Sequence, residues 1–175
     1  MNLKKPFFLI NILCYDLLKN IKNDQSIKFY KIKSIQVESR FKSIEKIIYK
    51  SYVKKKVPKD LFGVRIIYDH EDENISYNIL SNIERNFNII NSTKKDYIAN
   101  PKKNGYQSLH LHISYFNLPF EIQIRNTEMN WRNNYGSANE YNLIKEIILH
   151  KIYHKLYFDI IYIQYFLYLI LFIKN

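Results

Sequence analysis

Glycine occurs only 3 times in this 175-residue chain, where average usage near 7% gives about a dozen. Gly63, Gly105 and Gly136 therefore read as placed rather than incidental. Cysteine is scarcer still. Cys14 stands alone, which excludes an intrachain disulfide or a cysteine-based zinc cluster and fits a reducing cytoplasm. No internal repeat and no Ser/Gly/Pro-rich linker divides the sequence. Acidic residues are outnumbered, with Asp+Glu 16 against Lys+Arg 27 and a formal charge of +11. Such an excess attracts any polyanion, whether nucleotide, RNA, DNA or acidic lipid, and does not choose among them. Lys, Asn, Ile, Tyr and Phe are abundant together, as an AT-rich coding sequence would produce, so the charge alone is no sign of nucleic-acid binding. A hydrophobic content of 47% at this length supports one domain with a core, plus extensions.

Long uninterrupted apolar runs are also few. "MNLKKPFFLINILCYDLL" contains Pro6 and Asp16 and lacks a small-residue cleavage site, so it reads as a packing helix rather than a secretory signal. Residues 156–173, "LYFDIIYIQYFLYLILFI", approach the ~18 apolar residues of a transmembrane candidate. Asp159 and Gln164 interrupt them. Membrane contact, a core or oligomer helix, and a degenerate tail all remain open for this segment.

Periodicity supplies the organisation. "FKSIEKIIYKSY" places Phe41, Ile44, Ile47 and Ile48 on one helical face, and "DLFGVRIIYD" reads as a strand from its β-branched run. "ISYNILSNIERNF" is helical again, and "NII" is a short strand candidate. "YQSLHLHISYF" and "LPFEIQIRN", parted by a turn near Asn117, form an antiparallel hairpin. The next segment, "TEMNWRNNYGSANEYNLIKE", is mainly helical with Thr127 as the expected N-cap and with Met129 and Trp131 as packing residues. Mixed strands and helices with a hairpin predict an α+β, mixed α/β domain. The expected division is a helical extension over 1–34, the domain over 35–146 and an apolar tail over 147–175.

Alternation along "FEIQIR" sends Phe120, Ile122 and Ile124 inward and Glu121, Gln123 and Arg125 to the other face. Ser108 and His110 join that polar face if the hairpin register permits. A solvated surface is the plain reading of this pattern alone. Asp60 alone is equally an N-cap or a surface charge, Tyr106 alone a hairpin aromatic, and His110 alone a structural histidine.

Their order along the chain says more. "DLFGVR" at 60–65, "KDY" at 95–97, "PKKNGYQSLH" at 101–110 and "EIQIR" at 121–125 follow one another within about 65 residues, after "SRFKSIEKI" at 39–47. Together these segments resemble the RelA/SpoT alarmone synthetases, over roughly Val37 to Tyr135. The "NGYQSLH" and "EIQIR" pair is the most specific part.

That resemblance implies a nucleotidyltransferase-like mixed sheet flanked by helices. It also implies transfer of pyrophosphate from ATP to the 3′-hydroxyl of GDP or GTP, the GTP diphosphokinase reaction that makes the stringent-response alarmone (p)ppGpp. Asp60 and Glu121 would hold Mg2+, a hard cation that prefers oxygen ligands, and Glu121 would be the base for the 3′-hydroxyl. Arg40 and Arg65 would sandwich adenine, because planar guanidinium stacks where ammonium does not. Lys42, Ser43 and Lys46 would meet the triphosphate at a helix start. Tyr106 would stack on guanine, with Lys95, Lys102 and Lys103 neutralising diphosphate charge. Asn104, Ser108, His110, Gln123 and Arg125 would complete the GDP/GTP site.

The chain departs from the family's pattern in two places. After "EIQIR" the family usually has Thr where this chain has Asn126, and the following helix lacks the usual histidine near Ser137 or Glu140. The hydrolase and regulatory domains of long members do not fit in 175 residues. The expectation is a stand-alone small synthetase or a fragment of a longer one. The alternatives are a catalytically impaired nucleotide-binding remnant and a basic RNA-binding domain, the latter resting only on charge and scattered aromatics. ATP and GDP/GTP are the expected partners, with a homo-oligomer possible, no specific nucleic acid, and a cytoplasmic location.

Overall fold

The computed structural model describes residues 4–42, 61–90 and 94–136, together with Ala138, Lys151, His154, Lys155, Tyr157 and Asp159. The expected helix over 42–52, the apolar tail and the site residues Ser43, Lys46 and Asp60 lie outside the described residues, apart from Lys42 and the isolated tail positions. Among the described residues the chain is a mixed α+β domain, as the pattern predicts. Helix α1 (Lys4–Asn23) and the short α2 (Gln25–Lys28) come first. Strands β1 (Ile35–Phe41) and β2 (Phe62–Tyr68) follow, then α3 (Asn74–Asn86). The two-residue strands β3 (Asn88–Ile89) and β4 (Lys95–Asp96) precede the hairpin β5 (Leu109–Tyr115) and β6 (Leu118–Asn126), and α4 (Thr127–Tyr135) closes the order.

These strands make one sheet in the order β1-β2-β6-β5-β3, with β4 also pairing to β5. Only β2 and β6 run parallel to each other. The hairpin turn is Phe116–Asn117, both residues at positive φ (48° and 61°), the backbone of a two-residue turn that matches strand twist.

Parity divides the sheet cleanly. Val64, Ile66, Leu109, Leu111, Ile113, Phe120, Ile122 and Ile124 are buried on one face. There they join Leu9, Ile10, Leu13, Leu17 and Ile21 of α1 and Ile75, Ile79 and Ile83 of α3 in a single core. Those helical spacings of three and four are what a helix needs to bury one stripe. At roughly 1.5–3 kcal/mol for each fully buried aliphatic side chain, α1 is as much a part of the core as the strands are.

Three local expectations change. Phe41 ends β1 rather than opening a helix, because Ile35, Val37 and Phe41 alternate with Gln36, Glu38 and Arg40 in a strand paired throughout its length to β2. The N-cap of α4 is Asn126, whose side chain accepts the Met129 amide, and not Thr127. Gly63 introduces no bulge: β1 pairs with β2 without interruption on both sides of it, and the pairing to β6 begins at Gly63. Met129 packs in the core, but Trp131 is 60% exposed.

Candidate active site

The opposite face of the sheet carries the polar residues, and strand register determines which of them meet. One row across the sheet reads Glu38, Arg65, Gln123, His110, Lys95, from β1 through β2, β6 and β5 to β4. The next row reads Arg40, Gly63, Glu121, His112. Residues in one row share a face, so chain positions more than 80 apart become neighbours.

Glu121 is the centre. Arg40 Nη1 donates to its Oε2 at 3.0 Å, and Gln123 Nε2 donates to the same oxygen at 2.8 Å. His110 Nδ1 lies 3.2 Å from Oε1, and on the far side of the ring the Tyr106 hydroxyl lies 2.9 Å from Nε2. Burial would raise the Glu121 carboxyl, but the His110 contact, the Arg40 charge and the Gln123 hydrogen bond outweigh it and hold the group at about 2. Burial pushes the His110 imidazole below its ordinary value, against the pull of Glu121. A neutral ring has one N–H, and a carboxylate only accepts. The proton therefore sits on Nδ1 facing Glu121, and Tyr106 donates to Nε2. The result is a directed chain, Tyr106 to His110 to Glu121.

Beside it lies a basic cluster. Arg125 is 1% exposed, and its Nε and Nη2 have no hydrogen-bond partner among the described residues. Burial, then the nearby Arg65 charge, brings its guanidinium down to about 10. Arg65 Nε is likewise buried without a partner among the described residues. Burial and the Arg40 charge lower its guanidinium too, while Glu38 opposes them with Nη1–Oε2 at 3.6 Å. Buried donors with like-charged neighbours form a place where an anion gains from every group around it. The plain reading of Glu121, Gln123 and Arg125 as a solvated face fails here, since Gln123 is 3% exposed.

Tyr106 reaches the site from a tight turn. The Gly105 amide donates to the Lys102 carbonyl at 2.8 Å, and the Lys102 amide to the Tyr106 carbonyl at 3.2 Å. Gly105 has φ 78°, a conformation that other residues adopt at a cost. The segment is held from behind by α4: Asn133 Nδ2 donates to the Gln107 carbonyl at 2.8 Å, and the Gln107 amide donates to Asn133 Oδ1 at 3.2 Å.

The structure therefore brings together Arg40, Arg65, Tyr106, His110, Glu121, Gln123 and Arg125. Lys95, Lys102 and Lys103 are all exposed at the edge, Lys102 with its ammonium over the Tyr106 ring. Lys42 follows β1, its amide bonded to the Leu61 carbonyl at 3.1 Å. Ser108 is fully buried, its hydroxyl donating to the Ile124 carbonyl at 3.1 Å, and Asn104 Nδ2 lies 3.4 Å from the Ala138 carbonyl. Both bind main chain, where the resemblance implies substrate contacts. Sequence reasoning missed Glu38, the Gln107–Asn133 clamp and Tyr97. Alternation in "IQVESRF" was the available signal for Glu38 and the "KDY" segment for Tyr97; the Gln107–Asn133 clamp had none at short range.

Comparison with known proteins bears on the family and the fold. The family profile described as the region found in RelA / SpoT proteins matches residues 39–146. A probable guanosine-3′,5′-bis(diphosphate) 3′-pyrophosphohydrolase of Mycoplasma pneumoniae is 38% identical over 113 residues, 61% of this chain and 15% of that protein. A probable chloroplastic GTP diphosphokinase of Arabidopsis thaliana is 35% identical over 122 residues, 67% of this chain and 17% of that protein. The chain thus spans under a fifth of the length of these curated relatives. Among solved structures, small alarmone synthetase 2 of Bacillus subtilis superposes with TM-score 0.60 at 27% identity, covering 89% of this chain and 92% of the other. A GTP pyrophosphokinase family protein of Streptococcus pneumoniae gives TM-score 0.54 at 25% identity, covering 84% and 83%. A profile match over more than half of the chain and a sheet that superposes on synthetases of similar length lead to one conclusion: the chain belongs to the RelA/SpoT family.

Proposed function

We propose that this chain is a GTP diphosphokinase that transfers the β,γ-pyrophosphate of ATP to the ribose 3′-hydroxyl of GDP or GTP, releasing AMP. The observation that carries this reading is Glu121: an ionised carboxylate, low on the sheet face, gripped by Arg40, Gln123 and the Tyr106–His110 pair. In the reaction the 3′-oxygen forms a bond to the β-phosphorus, the bond from that phosphorus to the α,β-bridging oxygen breaks, and the hydroxyl proton passes to Glu121. A carboxylate at about 2 is a weak base. Its basicity rises when a neighbouring cation is drawn away, and Arg40 is the cation that the family resemblance assigns to adenine. Arg65, which the resemblance assigns to adenine, and Arg125, which it assigns to the GDP/GTP site, have buried donors without a partner among the described residues, so both suit an anionic nucleotide.

The donor chemistry fits Mg2+ in part. Glu121 supplies a hard, ionised oxygen ligand, and Asp60 would supply the second. Among the described residues no three His, Cys, Asp or Glu side chains converge, so most remaining ligands would be phosphate and water. When bound, Mg2+ supplies neutralisation of phosphate charge. The catalytic unit is 35–146, with α1 packed beneath it. A cytoplasmic setting suits Cys14, whose thiol burial pushes up to about 11, leaving it poorly reactive. Among the described residues, no helix is long and apolar enough to cross a membrane.

Incubation with labelled ATP and GDP or GTP, with separation of the products, tests the proposal directly. Labelled pppGpp or ppGpp with AMP is the expected result. Calorimetric binding of GDP and a non-hydrolysable ATP analogue without any transfer would instead establish the nucleotide-binding remnant.

A further inference from the structure

Tyr97 has no part in the proposed reaction, yet its backbone is anchored beside the site. Its amide donates to the Ser108 carbonyl at 3.1 Å, extending the β4–β5 pairing by one residue. Immediately before it, Asp96 accepts the Ile98 and Ala99 amides at 2.9 Å each and the Tyr77 hydroxyl at 3.1 Å. The ring thus stands on a backbone pinned from both directions. It packs edge-on against His110 at 5.3 Å and Tyr106 at 6.0 Å between centroids.

Lys102 occupies the space between the two tyrosines. Its Nζ lies 4.4 Å from the Tyr97 centroid and 4.5 Å from the Tyr106 centroid, inside the ~6 Å reach of a cation–π contact on both sides. A lysine ammonium on a four-carbon stem ordinarily samples many positions, and ordering it costs rotamer entropy. Two ring faces offset that cost. The ammonium is thereby held close enough to His110 for its charge to act on the imidazole.

We propose that Tyr97 is a positioning residue of the acceptor-nucleotide site: together with Tyr106 it holds the Lys102 ammonium in place for the diphosphate of GDP or GTP. This rests on the pyrophosphotransferase reading. Tyr97 touches neither reacting group. It acts through Lys102, so that the cation meets the diphosphate already ordered, and it does nothing for the ATP side. Lys103, one residue on and exposed like Lys102, has no such ring pair among the described residues.

The test measures GDP and ATP-analogue affinity by calorimetry on the full chain, with Tyr97→Leu, Tyr97→Phe, Lys102→Met and the Tyr97→Leu/Lys102→Met double variant. Removing two-ring placement of a cation corresponds to about a 3- to 30-fold loss. Tyr97→Leu should weaken GDP by that factor and leave the ATP analogue unchanged, and Tyr97→Phe should recover the loss. In the Lys102→Met background, Tyr97→Leu should have no further effect. NMR supplies an independent readout: the Lys102 ε-methylene protons should be shifted upfield by the two ring currents in the wild type, and Tyr97→Leu, which leaves only the Tyr106 ring, should reduce that shift. Persistence of the Tyr97→Leu effect without Lys102, or an unshifted Lys102 signal in the wild type, overturns the proposal while the proposed function stands. Failure of the wild type to bind GDP at all overturns both.

Discussion

Arg40 reaches Glu121 by passing over Gly63. The two residues lie on strands that do not touch, β1 and β6, and the β2 residue in register with both is the one position on that strand without a side chain. The gap is narrow: a Cβ built on Gly63 would lie 3.0 Å from the Glu121 carbonyl oxygen and 3.6 Å from its Cβ. The scarce glycine therefore serves the ion pair and not a bend.

Gly63→Ala is accordingly expected to cost about 1–3 kcal/mol, the range for overpacking a filled site, since the nearest atom is backbone and has little room to yield. It should also separate Arg40 from Glu121. Chemical denaturation measures the first effect, and the pH titration of Glu121 measures the second. An unchanged midpoint and unchanged titration would show that β2 accommodates the methyl and that the ion pair does not need the glycine.

Glu121→Gln should reduce pyrophosphate transfer by about 10² to 10⁴ while leaving GDP and ATP-analogue binding largely intact, the usual effect of losing a positioned general base. The amide cannot take the 3′-hydroxyl proton and is a poor ligand for a hard cation. Turnover near that of the wild type would remove Glu121 from its assigned role. The strength of the prediction comes from register, because the side chain is placed by β6 and by three independent partners on β1, β5 and β6 itself.

Much of this arrangement was legible in the sequence, and the reasons differ by residue. The period-two pattern of β6 determined which of its side chains share a face, so Glu121, Gln123 and Arg125 were grouped correctly. Whether that face met water was not readable, because burial of Gln123 and Arg125 depends on what the tertiary fold lays over them. The first strand was missed for a local reason. Phe41 also fits the helical spacing of Ile44, Ile47 and Ile48, and that longer apolar pattern outweighed the short alternation from Ile35. The α4 cap was displaced by one residue because Asn126 and Thr127 are both good caps and only backbone geometry separates them. No sequence rule reaches the Arg40–Glu121 contact, whose partners are 81 residues apart.

Stability should fall on the acid side in two stages. His110 has a folded pKa below its ordinary 6.5, so the fold favours the neutral ring. Its contribution is complete above that value and is lost as pH falls through the lowered folded pKa. Glu121 falls from 4.5 to about 2 on folding, so its contribution is present above 4.5 and is lost as pH drops toward 2. Linkage makes the second stage worth on the order of 3 kcal/mol. Denaturant midpoints measured from pH 8 to pH 2 should show both declines, and Glu121→Gln should flatten the one below 4.5. An acid limb that is the same in wild type and variant would mean that the carboxylate is not held as the structure shows it.

Arg125 carries the opposite kind of prediction, because its burial is costly to the fold. A guanidinium that is 1% exposed, with Nε and Nη2 unpartnered among the described residues, sits beside Arg65 and within the field of Arg40. Removing one member of a well-made buried ion pair is destabilising, but replacing a poorly compensated buried charge with an apolar chain of similar length is often stabilising by about 1–4 kcal/mol. Arg125→Met should therefore raise the melting temperature of the nucleotide-free chain. The same change removes donors that an anion would meet, so GDP and ATP should bind more weakly. Nucleotide should then stabilise the variant less than the wild type, since the gain from a ligand follows its concentration relative to Kd. Melting curves with and without nucleotide distinguish the outcomes. A higher melting temperature with a smaller nucleotide-induced shift is expected of a residue kept for binding at the expense of stability. A lower melting temperature with an unchanged shift would make Arg125 a packing residue whose charge the fold already accommodates.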